Sequence, residues 1–438
     1  MNLLCRVIAG AAVCAAGLMP SESYAQSTAP VRQLSGADAR SVFRLGAIES
    51  VRPLTNGRVL VNDTRFRQLV VFDSLLASMT VAIDSVKDAT IRYGTSDSPL
   101  VPYIGDSTLF RDANSSFYLV IDPNGDVAHQ LIRTRPGQEP LRYLPPRGHD
   151  AEGNPIFVAL TFTMNLGDGW YKPSDAPIAR MNFATRREEQ IAVFQRSPLY
   201  RMQQKRDANG NARPVRTINP LVLSDDWTVL SDGTVAVVHA RDYNVELVQA
   251  NGKKVATTRL PFEKRKLSNA EKRAEGEARR AAILQQDEVD FANSMSRSAM
   301  QGMATMLSIN SDSMRKVARE SKGNFEIPLP QSAPVIDIEV VPVKQMLDYM
   351  PPFRTSAGEV PVIADADARV WIRTTDTTGN TPGETLYDVV NNLGDYVQRV
   401  RVPANRTIVG FGKNNVVFLK FQEGLNRWGL ERRHVLMN

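Results

Sequence analysis

Cysteine is nearly absent from this 438-residue sequence, and both copies, Cys5 and Cys14, fall within the first 25 residues. Everything after Ala25 therefore has no disulfide, no thiolate nucleophile and no cysteine-based metal site. Histidine is scarce as well. His129, His149, His239 and His434 are too far apart for an HExxH, HxH or histidine–carboxylate cluster, so no metal site is expected from sequence. The chain has no phosphate-cradling glycine loop and no GxSxG elbow to present a hydrolase nucleophile. No apolar run reaches the roughly 20 residues that a bilayer-spanning helix needs, so no membrane span is expected. An excess of one charge is missing too. The 53 Lys and Arg are interspersed with 47 Asp and Glu, a net of +6, which gives no basic stripe for nucleic acid. Trp170, Trp227, Trp371 and Trp428 lie in or near strand-like runs, where packing accounts for them better than a stacking platform.

Residues 1–25 read as an export signal. Arg6 charges a short leading region, Val7 to Met19 is apolar, Pro20 breaks the run, and Ser23-Tyr24-Ala25 offers the small residues a signal peptidase requires. The expected destination is the periplasm or the medium. Residues 26–40 are expected to be a flexible N-terminal segment, and 41–438 one folded unit.

A repeat dominates the chain beyond residue 40. Its first copy runs LTNGRVLVND (Leu54 to Asp63), QLVVFD (Gln68 to Asp73) and MTVAID (Met79 to Asp84), preceded by Ala47 to Leu54. Asn56-Gly57 suits a two-residue hairpin turn with positive φ, and the flanking Val, Leu and Phe favour strands. Similar copies start near Trp227, Val360 and Thr407, and weaker ones span Leu100 to Arg133 and Tyr143 to Gln195. The markers of the first turn are Gly57, Asp106, Gly153, Gly233, Ala368 and Asn414, with steps of 49, 47, 80, 135 and 46 residues. Four strands repeated at this length predict an all-β fold, a six-bladed β-propeller with insertions at the two long steps. A pair of packed β-sandwiches is the structural rival, but it has no equal repeat of this length. The last copy lacks an outermost strand, and Ser41 to Leu45 is expected to supply it and close the ring.

Phe262 to Phe325 breaks the β pattern, between the fourth and fifth blades. Ser268-Asn269-Ala270-Glu271 forms a capping box, and strong helix formers continue to Gln286. Met295, Met300, Met303, Met306, Leu307, Met314 and Val317 enrich the second half, and Asn310 or Ser311 is placed to cap a final helix ending near Gly323. This helical insertion, 262–325, reads either as an arm that docks a partner protein or as a helix that covers the propeller itself.

In a propeller, residues distant in sequence converge on the axis. The axial candidates are Glu49, Arg52, Asp106, Asp226 and Asp365 for ligand binding, with His149 and Asp150 as the pair best suited to acid–base work. Asp also favours turns for local hydrogen bonding, so each has a purely structural reading. Asn62, Asp63, His239, Asp242 and Asp376 are expected at the ends of second strands, bordering one rim.

The run NGRVLVND followed by RQLVVFD resembles the repeat of NHL-type and TolB-like six-bladed propellers. TVAVVHARDYNVELVQANGK and ARVWIRTTD with LYDVVNNLGDYVQRV are similar. The resemblance covers most of 41–438 apart from the insertion. It implies a fold shared by lactonases with a central calcium, lyases, quinone-dependent sugar dehydrogenases and non-catalytic binding scaffolds. The lactonase pattern needs a Glu and several Asn or Asp at inner strand ends, for which Glu49, Asp106 and Asp226 are available. The leading expectation is an exported scaffold that binds a protein, peptide or small molecule without a cofactor. The alternative is a lactonase-like hydrolase or lyase with a metal, calcium above all, on the axis.

Overall fold

Short runs rich in Val, Ile, Leu and Phe, separated by turn residues, form the strands of this protein. The computed structural model describes residues 29–84, 93, 99–111, 117–132, 145–159, 174–182, 185, 187–197, 200–206, 210–257, 259–285, 287–288, 336–354, 360–377, 381–424 and 427–437. Two short strands come first, β1 (Val31–Gln33) and β2 (Ala39–Arg40). The first four-stranded sheet is β3 (Ile48–Pro53), β4 (Val59–Asp63), β5 (Gln68–Phe72) and β6 (Met79–Asp84). The second is β7 (Val101–Pro102), β8 (Thr108–Arg111), β9 (Phe117–Ile121) and β10 (Val127–Ile132). The third is β11 (Gly148–His149), β12 (Pro155–Val158), β13 (Ser174–Asn182) and β14 (Arg187–Arg196). A hairpin of β15 (Tyr200–Arg206) and β16 (Ala212–Ile218) intervenes. The fourth sheet is β17 (Asp226–Val229), β18 (Val235–His239), β19 (Asn244–Val248) and β20 (Lys254–Ala256). An α-helix, α1 (269–285), and β21 (Asp337–Val340) come next. The fifth sheet is β22 (Val362–Ala364), β23 (Val370–Arg373), β24 (Thr385–Val390) and β25 (Tyr396–Val402). The sixth is β26 (Arg406–Gly412), β27 (Val416–Gly424) and β28 (Arg427–His434), with β2 as its fourth strand.

Neighbouring sheets pack face to face in chain order. Leu60 and Leu69 meet Phe110 and Leu119 between the first and second. Tyr103 and His149 meet edge to face, 5.2 Å apart, between the second and third. Ile156 and Phe194 meet Trp227 and Val237 between the third and fourth. Val238 and Tyr243 meet Ile372 and Val390 between the fourth and fifth. Trp371 and Val389 meet Val417 and Leu419 between the fifth and sixth. Phe418 and Leu430 return to Val61 and Phe72 of the first. The cycle is closed, an arrangement consistent with a β-propeller. Central strands are covered on both faces, so Val59–Asp63 is buried throughout and shows no in-out alternation. Each Leu or Val buried in these layers contributes about 1.5–3 kcal/mol. Where β26 passes β3, Gly410 lies against the Val51 carbonyl, with no room for a Cβ.

Closure differs in detail from the expectation. The outermost strand of the sixth sheet is Ala39–Arg40, paired with Arg432 and Glu431, and single bridges tie Leu34 to Val435 and Leu45 to Trp428. Ser41 to Leu45 follows that strand as a bend, tied back by Ser41 N to the Leu430 carbonyl and by the Leu45 bridge. Residues 31–33 of the segment expected to be flexible add to the fifth sheet, parallel to β25. The reason is that β25 and β28 both leave an edge of unpaired N–H and C=O groups, which the N-terminal backbone satisfies.

The two long steps also differ. Ser268 and Glu271 exchange the hydrogen bonds of a capping box, at 3.2 Å and 2.8 Å, and α1 starts there. It does not stand alone. β15, β16 and β21 form a three-stranded side sheet, with β16 antiparallel to β15 and parallel to β21. Ile283 of α1 packs on Ile218 and Ile338 of that sheet. The connections before and after the fourth sheet thus join into one side unit. The methionine-rich stretch and the final helix expected near 310–323 lie outside the described residues. No helix among the described residues is long and apolar enough to cross a membrane.

Candidate functional site

Every first turn passes through a left-handed residue at its marker: Gly57, Asp106, Gly153, Gly233, Ala368 and Asn414 have φ of 80°, 62°, 82°, 82°, 57° and 60°. These turns touch one another around the cycle. Thr55 donates from backbone and hydroxyl to Asp106, and Gly153 abuts Ile104 and Tyr103. A Cβ on Gly233 would lie 3.2 Å from Asp150 Cα. Asn414 N donates to Asp367 (3.1 Å), and Gly412 faces Pro53. One rim therefore carries all six turns, and five of the sequence-derived candidates sit on it.

Their side chains hold the turns and link the sheets. Arg52 pairs with Asp106 at 2.9 Å. Asp150 accepts from Glu152 N (3.0 Å), Asn154 N (2.8 Å), Asn154 Nδ2 (2.9 Å) and Arg180 (3.1 Å). Asp365 accepts from Asp367 N, Arg369 N, the Arg369 guanidinium and Trp371 Nε1, all within 2.9 Å. His149 donates from Nδ1 to the Asp150 carbonyl at 2.6 Å and meets the Tyr103 ring edge to face. Asp is favoured at these positions because its carboxylate satisfies turn N–H groups that no strand can pair.

Glu49 and Asp226 lie at the starting ends of β3 and β17, away from that rim. Glu49 is exposed at a bulge. Asp226 is buried. Its Oδ1 takes Arg147 at 2.6 Å, while Oδ2 has no hydrogen-bond partner among the described residues. The Arg147 guanidinium also donates to the Trp227 carbonyl and lies 5.1 Å from the Trp227 ring centre. Beside it, Asp225 accepts from Ala240 N (2.9 Å), Gln195 N (3.2 Å) and His239 Nδ1 (2.9 Å). The bond from Asp225 raises the His239 pKa, against burial, which lowers it. His239 Nε2 makes no hydrogen bond among the described residues and is only partly buried. Asp63 binds Gly46 N and Ala47 N at 2.8 Å and 3.0 Å, with its pKa raised by burial. Asn62 accepts from the Tyr93 hydroxyl, Asp376 pairs with Arg399 at 2.6 Å, and Asp242 is exposed. The structure so divides the candidates between two ends of the innermost strands instead of gathering them at one point.

Between the third and fourth sheets a cleft of about 250 Å³ opens beside Asp150. Arg180, Glu189, Gln190 and Ile191 line one side, and Val248 with the turn Gln249 to Gly252 lines the other. Arg180 forks between Asp150 and Glu189, so its charge is held in place at the cleft wall. The cleft offers carboxylate, guanidinium and amide groups around Ile156, Ile191 and Val248. Sequence reading named Asp150 here but missed Arg180 and Glu189. Both lie on strands of the weak third copy, and only the pairing of Arg180 with Glu189 across β13 and β14 brings them together. Arg147 and Asp225 were missed because each sits just before a strand and meets its partners on another segment of the chain. Among the described residues, no group of three His, Asp or Glu is placed to hold a metal ion.

No family model matches the chain, and no curated protein matches it. Several solved structures are similar to it in fold. Virginiamycin B lyase from Staphylococcus aureus is 9% identical over 89% of this chain and 96% of its own, with a TM-score of 0.36. A member of the DUF4221 family from Bacteroides vulgatus is 11% identical over 92% and 98%, with a TM-score of 0.40. The calcium-binding protein regucalcin from Agrobacterium tumefaciens is 10% identical over 93% and 96%, with a TM-score of 0.36.

Proposed function

We propose that this protein is an exported six-bladed β-propeller that works as a binding scaffold, holding a small polar molecule or a peptide side chain in the cleft between its third and fourth blades. Export rests on the signal-like features of residues 1–25. The six sheets in a closed cycle, five of four strands and one of five, support the blade count. The observation that carries the binding reading is the cleft itself. A cavity of about 250 Å³ with apolar floor residues and a fixed guanidinium has the mixed lining that small-ligand sites show. Arg180, forked between Asp150 and Glu189, is the fixed polar group of the cleft wall.

The test is a thermal-shift screen of the secreted form against free amino acids, dipeptides and sugar acids. Ligand at about 100 times its Kd adds about 2.7 kcal/mol of stability, which is readily seen as a rise in Tm. The rise should vanish in Arg180→Ala and persist in Lys254→Ala, a site outside the cleft. A screen in which no compound distinguishes the two variants refutes the cleft.

One observation favours the enzyme reading. Asp225 orients His239 through Nδ1 and leaves Nε2 open, the arrangement of a base held by a carboxylate. Hydrolysis of a panel of lactones, with and without added calcium, decides it. Activity abolished by His239→Gln would replace the scaffold reading, and no turnover of any lactone would retire this one.

A further inference from the structure

The cleft is a joint between sheets that elsewhere in the ring is shut. In the second sheet the turn between β9 and β10 lies against the first sheet: a Cβ on Gly125 would come within 2.7 Å of Val71 and 3.6 Å of Ala82. In the fifth sheet the turn between β24 and β25 lies against the fourth: a Cβ on Gly394 would be 3.6 Å from Val255 and from Thr257. Gly252 holds the same place in the turn between β19 and β20, facing the third sheet, and a Cβ there would meet nothing within 4 Å. The gap left is the cleft. The sequence supplies a cause. Arg180 stands opposite Ile156 as Val71 stands opposite Leu60, so a guanidinium tied to Glu189 replaces the valine on which the turn of the second sheet rests. The joint of the first and second sheets is also bonded across. Asn56 Nδ2 and Arg58 Nη2 donate to the Pro123 carbonyl at 3.0 Å and 2.8 Å, and Arg58 Nη2 donates to Asn124 Oδ1 at 2.8 Å. In the third sheet Glu152 and Asn154 flank Gly153 as Asn56 and Arg58 flank Gly57. Glu152 is an acceptor, and Asn154 turns its amide back to Asp150 (2.9 Å) and Glu152 (3.1 Å). Ala250 and Asn251 stand where Pro123 and Asn124 do, in a turn closed the same way: Gly125 N donates to the Asp122 carbonyl (3.0 Å) and Gly252 N to the Gln249 carbonyl (2.9 Å). Among the described residues the Ala250 carbonyl accepts no hydrogen bond. The acceptors are kept, and the guanidinium that bridges them is gone.

We propose that the cleft takes a guanidinium from outside, that of free arginine or of an arginine side chain, in the role Arg58 has between the first and second sheets. This rests on the cleft being the binding site and names its ligand class. The guest donates to the Ala250 carbonyl and Asn251 Oδ1, and its methylenes lie against Ile156, Ile191 and Val248. A planar guanidinium reaches two acceptors at once, as Arg58 does, where an ammonium is a point donor. Two carboxylates, Asp150 and Glu189, line the cleft against one guanidinium, Arg180, so the lining is negative and opposes an anion.

The probes are L-arginine and acetyl-Ala-Arg-Ala-amide, each with citrulline, lysine and glutamate counterparts. Calorimetric titration of the secreted form reads binding, and hydrogen exchange reads the amides of 249–253. The arginine probes are expected to bind and to slow exchange across 249–253. Citrulline has nearly the same shape without the charge and should bind about tenfold more weakly, because charge-assisted hydrogen bonds are about twice as strong as neutral ones. Tighter binding of the peptide than of arginine, or the reverse, tells which source the site serves, and either supports the proposal. Asn154→Arg should supply the guanidinium from within and abolish binding. Glu189→Gln should weaken it about tenfold by removing negative charge from the cleft. Circular dichroism checks both folds; if Asn154→Arg fails, Glu189→Gln and the citrulline series still decide. A citrulline, lysine or glutamate counterpart that binds as tightly and protects 249–253 overturns the guanidinium and keeps the cleft. Arginine binding without protection of 249–253, or no binding by any probe, overturns the proposal, while the wider ligand screen still judges the cleft.

Discussion

Glu431 is the most exacting test of how the ring closes. It lies on β28, is fully buried, and receives Arg406 at 2.9 Å, Arg433 at 2.7 Å and, from the N-terminal strand β2, Arg40 at 2.8 Å. Arg40 and Arg406 also flank the Phe421 ring, 4.9 Å and 4.6 Å from its centre. One carboxylate so joins the N-terminal strand β2 to the last strand, β28. Glu431→Ala leaves three guanidiniums converging on a small void. Removing one member of a buried ionic cluster costs about 3–5 kcal/mol. Arg40 is half exposed and regains water, so its share is small; Arg406 and Arg433 are mostly covered and set the loss at about 3 kcal/mol. With a urea slope of about 3 kcal/mol per M, the midpoint should fall by about 1 M, read by tryptophan fluorescence. The pH course adds a second constraint. Burial acts to raise the Glu431 pKa, but the bonds from Arg406 and Arg433 outweigh it and the net shift is downward. A depressed carboxylate contributes stability above its unfolded pKa and loses it as pH falls through the folded pKa. The gap between the natural protein and Glu431→Ala should therefore be full at neutral pH and close in acid. A midpoint shift under about 0.3 M at pH 7, on the same urea slope, or a gap that widens in acid, would refute the closure argument.

Three other outcomes rest on the same geometry. Gly410→Ala drives a methyl group into the Val51 carbonyl between β26 and β3, and should cost about 2–3 kcal/mol or more in chemical denaturation because backbone, not a side chain, must yield. Asp365→Ala strips four donors of their acceptor, the buried Trp371 Nε1 among them, and should destabilise by about 2–4 kcal/mol, while Asp242→Ala, exposed, changes stability little. His239 has a raised pKa, so its pairing with Asp225 stabilises fully below the unfolded histidine value and fades as pH rises through the folded value; His239→Gln should lower Tm more in mild acid, below the unfolded value, than in alkali, above the folded value that an NMR titration locates.

Much of the ring could be read from sequence because each sheet is local. LTNGRVLVND with QLVVFD and MTVAID contains a whole sheet, its turns named by Asn-Gly and Asp residues whose backbone chemistry is fixed by the residue itself. All six markers proved left-handed, including Ala368, which no propensity would place there; the repeat spacing identified it. Polar groups were harder. Asp150, Asp226 and Asp365 were visible as conspicuous acids, but their partners Arg180 and Trp371 are ordinary strand residues, and Arg147 an ordinary loop residue, until the fold brings them within reach. Composition shows which charges need partners, not which sheet supplies them.

The side sheet was the least legible part, and its topology predicts its place in folding. β16 pairs in parallel with β21, with Val215 opposite Asp337 and Ile218 opposite Val340. The whole fourth sheet and α1 lie between those strands in sequence. No local pattern can announce such a pair, because each half reads alone as a short strand beside a loop. The same separation makes the contact slow to form, since the intervening chain must be ordered before closure is rewarded. The β17–β18 and β18–β19 hairpins need only local turns. During refolding, pulsed hydrogen exchange should therefore find the amides of Val235–His239 protected well before those of Asp337–Val340. Shortening α1 or its flanking chain should change the later phase and leave the earlier one alone. Protection of β21 that precedes or coincides with β18 would show that the side unit nucleates first, and that the fourth sheet is built onto it.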